Sequence, residues 1–111
     1  GQRHYGLERV LHGLHAVALR DKKAVLVTAQ LNRETEARQG PPRLSDLRDT
    51  GAAEMAGRTI LLLYWPIRHD DQRDPQDYEM YLAKQHDGPT GLVPLRFEAA
   101  VGRFFDREVT P

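Results

Sequence analysis

Cysteine is absent from this 111-residue chain, which excludes a disulfide framework and any thiolate metal site. Long apolar runs are missing too. The longest, Thr59 to Ile67, is too short to cross a bilayer, and no basic segment followed by an apolar one opens the chain as an export signal would. The expected setting is therefore soluble and cytoplasmic. Net charge is zero, with 16 Lys and Arg against 16 Asp and Glu, which argues against holding nucleic acid by bulk electrostatics. The sequence contains no Gly-x-x-x-x-Gly-Lys-Ser/Thr phosphate loop and no Gly-x-Gly-x-x-Gly turn. It also lacks the His-x-x-x-His or His-Glu-x-x-His pair that would hold zinc. Its five histidines, His4, His12, His15, His69 and His86, are dispersed, so no metal site is expected.

What is present fits one modest domain or a piece of a larger one. Position 1 is Gly rather than Met, as in a tag remnant, a cleaved product or a fragment. The zero charge hides a gradient. Residues 1–40 carry seven basic and four acidic groups, residues 41–70 four of each, and residues 71–111 five basic and eight acidic. Lysine is scarce, at Lys22, Lys23 and Lys84 only, so 13 of the 16 basic residues are arginine. Arginine suits fixed, forked contacts to phosphate or carboxylate, although a GC-rich coding sequence gives the same composition.

Leu7, Val10, Leu11, Leu14 and Val17 repeat at helical spacing and predict an α-helix over Tyr5 to Arg20. After the polar Asp21-Lys22-Lys23, the unalternating run Ala24 to Ala29 reads as a strand buried on both faces, the habit of parallel sheets. Gln30 to Pro42 reads as a loop, and Ser45 to Gly57 as a short helical stretch broken near Thr50-Gly51. Thr59 to Tyr64 is the second buried strand. Pro66 to Gln76, rich in Asp and Arg, is expected to be a solvated loop of weak order. Tyr78 to Lys84 and Leu92 to Glu98 alternate around His86-Asp87-Gly88-Pro89-Thr90-Gly91 and predict a β-hairpin. Pro94 places its second arm near an edge or a bulge. Val101 to Phe105 reads as a last short strand. The parallel portion has too few strands for a complete α/β domain, so the chain reads as a fragment of one.

The residues able to do chemistry sit at strand ends. Gln30 follows the run Ala24–Ala29, and ligands of open α/β sheets collect outside the carboxyl ends of strands. An amide there can bond a phosphate oxygen or a water, or can simply start a polar loop. Arg48 with the backbone beside Gly51 could bind a phosphodiester, or the segment could be a helix cap with an Asp–Arg pair. Lys84 and His86 end one hairpin arm and should project to the same side. There they could reach an anion on a neighbouring subunit or be solvated.

Three segments in register resemble the DnaB-type replicative helicases. These are Ala29-Gln30-Leu31-Asn32-Arg33, Leu44 through Glu54, and Ala83-Lys84-Gln85-His86-Asp87-Gly88-Pro89-Thr90-Gly91. Gly102-Arg103-Phe104 is similar to that family's terminal strand. The resemblance implies an α/β fold, namely the C-terminal part of a RecA-like (P-loop NTPase) domain whose parallel strands are extended by an antiparallel β-hairpin. Residues 1–111 would form one partial domain. It implies a parent protein that hydrolyses ATP with Mg2+, assembles as a ring of like subunits and moves on single-stranded DNA. Gln30 would sense the γ-phosphate. Arg48, Asp49 and Gly51, with Arg33 nearby, would face the DNA. Lys84 and His86 would face the nucleotide of the adjacent subunit.

The chain departs from that family in several places. The phosphate loop, catalytic glutamate and magnesium aspartate have no counterpart in this sequence. The family's finger arginine is His86, and an imidazole cannot offer the same fork of donors. The family's Glu-Gln-Asp-Ala-Asp run is Glu54-Met55-Ala56-Gly57-Arg58, and its channel-loop Glu-Ser is Asp49-Thr50. The first expectation is thus a portion of a helicase ATPase domain, inactive alone and not expected to bind nucleotide tightly. The alternative is a truncated interaction module that binds or regulates a ring helicase.

Overall fold

The computed structural model describes residues 2–31, 40–46 and 57–107. Helix α1 runs Gln2–Asp21, starting somewhat earlier than the apolar stripe predicts. Leu11 of that stripe is buried, while Leu14 and Val17 are half-buried. The helix stops without glycine. Lys22 takes a left-handed φ of 53°, and the Lys23 N–H donates to the Ala18 carbonyl at 3.1 Å. That bond closes the six-residue ring typical of helix ends, at a position where glycine is usual.

Residues 24–29 correct the sequence reading. They form no strand, and all six are exposed, Leu26 at 89%. A β-branched run becomes a buried strand only where neighbours complete its ladder and cover both faces. Among the described residues nothing pairs with it, so composition alone leaves the run unpaired and exposed.

The sheet has four strands, β1 (Thr59–Tyr64), β2 (Asp77–Gln85), β3 (Gly91–Glu98) and β4 (Arg103–Asp106), in sequential order. Every neighbour is antiparallel, and no parallel pair occurs among the described residues. The expected antiparallel hairpin is β2–β3, and β4 starts two residues later than predicted. Thr59–Tyr64 keeps its predicted bounds, but among the described residues it is an outer strand of this antiparallel sheet. Only Leu62 is buried on it.

Pro94 sits within β3 without breaking the ladder. The Phe97 N–H points toward the β2 side, donating to the Gln76 carbonyl at 2.7 Å. Alternation turns the Pro94 nitrogen the other way, toward β4, whose pairing with β3 begins only at Leu95. The missing N–H therefore falls just beyond the last residue of β3 that pairs with β4.

Register sorts the side chains onto two faces. Leu61, Leu63, Tyr78, Met80, Leu82, Val93, Leu95, Phe97 and Phe104 share one. Trp65, Tyr78, Phe97 and Phe104 cluster at its end, with Phe97 and Phe104 stacked at 4.6 Å and Tyr78 edge-on to Phe104 at 5.0 Å. The opposite face is mixed, carrying Leu62, Tyr64, Glu79, Tyr81 and Lys84.

The segment 66–76 is better ordered than its charge suggests. Pro66 is fully buried at the start of a short 3-10 turn, Pro66–Arg68. Asp70 and Asp74 each accept from the backbone N–H two residues on, at 3.0 and 2.9 Å. The Trp65 indole donates to the Pro75 carbonyl at 2.8 Å. Aspartates that look like solvated charge in the sequence are here the turn formers.

Candidate functional site

The open end of the β1–β2 pair holds two of the sequence-derived residues, Lys84 and His86. Strict alternation would put Lys84 on the apolar face with Met80 and Leu82. It does not lie there, because Ile60 pairs with Lys84 while Leu61 pairs with Leu82. Ala83 is thus an extra residue, a β-bulge that shifts the alternation by one and turns Lys84 onto the face of Tyr81 and Glu79. Bulges re-aim side chains in this way without ending the ladder.

Beyond the bulge the pairing resumes. Thr59 pairs with Gln85, and its hydroxyl donates to Gln85 Oε1 at 2.7 Å. The His86 N–H donates to the Arg58 carbonyl at 3.0 Å, extending the pairing one residue past β1. His86 and Asp87 are exposed, with His86 Nε2 3.9 Å from Asp87 Oδ1. The Arg58 guanidinium reaches Asp87 Oδ2 at 3.4 Å. A Cβ on Gly88 would come within 3.3 Å of Gln85 Cγ, so the turn folds closely over the Gln85 side chain.

A charged and aromatic layer supports β2 behind the tip. Tyr81 donates to Glu79 Oε1 at 3.1 Å. Burial first, then the neighbouring Glu79 carboxylate, pushes the Tyr81 phenol up to about 12, so it stays a neutral donor. Asp77 is held by Arg107 at 3.1 Å and Arg73 at 3.5 Å. Arg107 also donates to the Tyr78 carbonyl at 3.4 Å, which ties the end of the chain's sheet back to β2. Tyr64 stacks on His69 at 5.9 Å.

Of the residues singled out from sequence, Lys84 and His86 are therefore brought together on this tip. Gln30 is exposed at the end of the unpaired segment, and among the described residues none is hydrogen-bonded or ion-paired to it. Arg33, Arg48, Asp49 and Gly51 lie outside the described residues. Residues 44–46, just before them, form a 3-10 turn. There the Arg43 N–H donates to a buried Asp46 carboxylate at 2.7 Å. The tip residue that sequence reasoning missed is Arg58. The signal was available only through the pairing of Thr59–Tyr64 with β2, which places its predecessor beside His86. Among the described residues no group of three or more His, Asp or Glu is placed to hold a metal ion, and no helix is long and apolar enough to cross a membrane.

Comparison with known proteins agrees with this architecture. The family model of the DnaB-like helicase C terminal domain matches residues 1–106. A probable replicative DNA helicase of Trieres chinensis is 32% identical over 105 residues, which is 90% of this chain and 23% of that protein. The replicative DNA helicase DnaC of Bacillus subtilis is 31% identical over 97 residues, 86% of this chain and 21% of that protein. The chain thus spans under a quarter of the length of these curated relatives. Among solved structures, the ATPase domain of G40P superposes with a TM-score of 0.91 at 32% identity, over 96% of this chain and 38% of that one. A DnaB-like replicative helicase, solved with its interactions with primase, superposes with a TM-score of 0.67 at 38% identity, over 71% of this chain and 20% of that one.

Proposed function

Since the chain belongs to the DnaB-like helicase C-terminal domain family and is a region of such a replicative helicase's RecA-like ATPase domain, we propose that its β2–β3 hairpin acts on ATP bound by an adjacent subunit. The observation that carries this reading is the end of β2, where the bulge at Ala83 turns Lys84, and with it the exposed His86 two residues on, onto the face of Tyr81 and Glu79. An ammonium and an imidazole presented together, on a strand pair rather than a loose loop, suit a phosphate approached from outside.

The residues of the tip fit a triphosphate from one side only. The sequence contains no phosphate loop, and among the described residues no group of three or more His, Asp or Glu is placed to hold a metal ion. The chain's own part is therefore to contact and orient the outer phosphate oxygens through Lys84 and His86. Mg-ATP bound in the neighbour would supply the transferable phosphoryl group and the divalent charge that shields it.

The same reading gives Gln30 the γ-phosphate sensor role, and gives Arg48, Asp49 and Gly51, with Arg33, the contacts to single-stranded DNA. Residues 1–111 then act as one partial domain within a ring of like subunits. In a hybrid in which this chain replaces the matching segment of the G40P ATPase domain, DNA-stimulated ATP hydrolysis should be measurable. Lys84→Ala should lower its kcat by at least about a hundredfold, with nucleotide affinity much less changed. Equal kcat with and without Lys84 would refute the assignment.

A further inference from the structure

The hairpin reading leaves a chemical gap at His86. An imidazole offers at most two N–H donors and no fork, where a guanidinium offers five donors in a fixed fork. The structure closes that gap from the opposite strand. Thr59 pairs with Gln85, and the next pair outward is Arg58 with His86, joined by the His86 N–H to Arg58 carbonyl bond at 3.0 Å. Residues opposed across an antiparallel pair project to the same face. One pair further in, on that face, Ile60 is opposite Lys84. Arg58, Lys84 and His86 therefore share one face at the exposed end of the sheet.

Arg58 is also weakly committed. Its side chain is 55% exposed, and among the described residues its contact is one approach of 3.4 Å to Asp87, itself 82% exposed. An exposed pair of that kind contributes little and is readily exchanged. A polyphosphate, with several charges and oxygens arranged for a forked donor, is the stronger partner.

Arg58 and His86 are far apart in sequence, yet the ladder sets them opposite each other. We propose that Arg58 supplies the guanidinium of this tip, contacting the triphosphate of the adjacent subunit alongside Lys84 and His86. This rests on the hairpin reading given above.

The test is titration of the 15N-labelled chain with ATP, and separately with inorganic tripolyphosphate, at low ionic strength. Amide and Arg Nε–H signals are followed in the wild type, Arg58→Gln, Arg58→Lys and Lys84→Gln. The proposal expects shifts at Arg58, Lys84 and His86 with both anions. It expects affinity to fall about fivefold in Arg58→Gln, with an intermediate value in Arg58→Lys, which keeps the charge and loses the fork. If the tip binds and Lys84→Gln weakens binding while Arg58→Gln does not, the Arg58 proposal fails and the hairpin reading stands. If no tip signal moves with either anion, both fail.

Discussion

Leucine by leucine, β1 gives a sharp test of how the sheet is covered. Leu62 is 4% exposed, whereas its neighbours Leu61 and Leu63, on the other face, are 43% and 53% exposed. Leu62→Ala removes three buried carbons from contact with the mixed face. Because β1 is an outer strand among the described residues, the gap partly closes, so the cost belongs at the lower end for such truncations, about 2–3 kcal/mol. At Leu61 and Leu63 roughly half the side chain is already in water, so alanine there should cost about 1 kcal/mol or less. Urea unfolding followed by the single tryptophan, Trp65, reads this directly. Trp65 sits next to β1 and packs edge-on to Phe97 at 5.6 Å. A destabilisation at Leu62 at least twice that at either neighbour, with unchanged denaturant slopes, is the expected pattern. Equal losses at all three positions would refute the assignment of an open apolar face.

Lys22→Gly should raise stability by about 1 kcal/mol, because glycine takes the left-handed φ of 53° at the end of α1 without the penalty lysine bears; helix content by circular dichroism and the thermal midpoint check it. The Tyr81 phenol, pushed up to about 12, binds its proton more tightly folded than unfolded. Stability from it is present below the ordinary tyrosine range near 10 and is lost as pH rises from there through about 12. Glu79→Gln should move the phenol's titration downward in an ultraviolet pH titration, leaving the part that burial causes. Asp77→Asn removes the carboxylate shared by Arg107 and Arg73 and should cost about 1–2 kcal/mol, a loss that a urea midpoint resolves.

Local signals carried the sequence reading furthest. The apolar stripe of α1 and the alternating arms around Gly88-Pro89-Thr90-Gly91 specify a helix and a hairpin from neighbours in the chain, and both are present. Thr59–Tyr64 has its predicted bounds, but an unbroken apolar run says only that a strand is covered. It does not say by which neighbour or in which direction. The same limit explains residues 24–29, which carry the composition of an interior strand and find no ladder among the described residues.

At the tip, the bulge was illegible because hydrophobic alternation does not count residues across a ladder. Ala83 looks ordinary until Leu61 is paired with Leu82 and Ile60 with Lys84. Arg58 was hidden for the same reason. It reads as a lost acidic position in sequence and becomes a neighbour of His86 only through register. The family resemblance, by contrast, rested on three short segments in order, and the match across residues 1–106 agrees with it.

The central claim is that the hairpin works across a subunit boundary, and mixing subunits tests it most directly. Two hybrid ATPase domains carrying this chain are prepared, one with Lys84→Ala and the other with its phosphate loop disabled. Each should be inactive alone. Combined, they should recover ATP hydrolysis, because an intact nucleotide site in one subunit then meets an intact Lys84 in the next. Mixed assemblies that form, as seen by gel filtration, yet stay inactive would contradict the account.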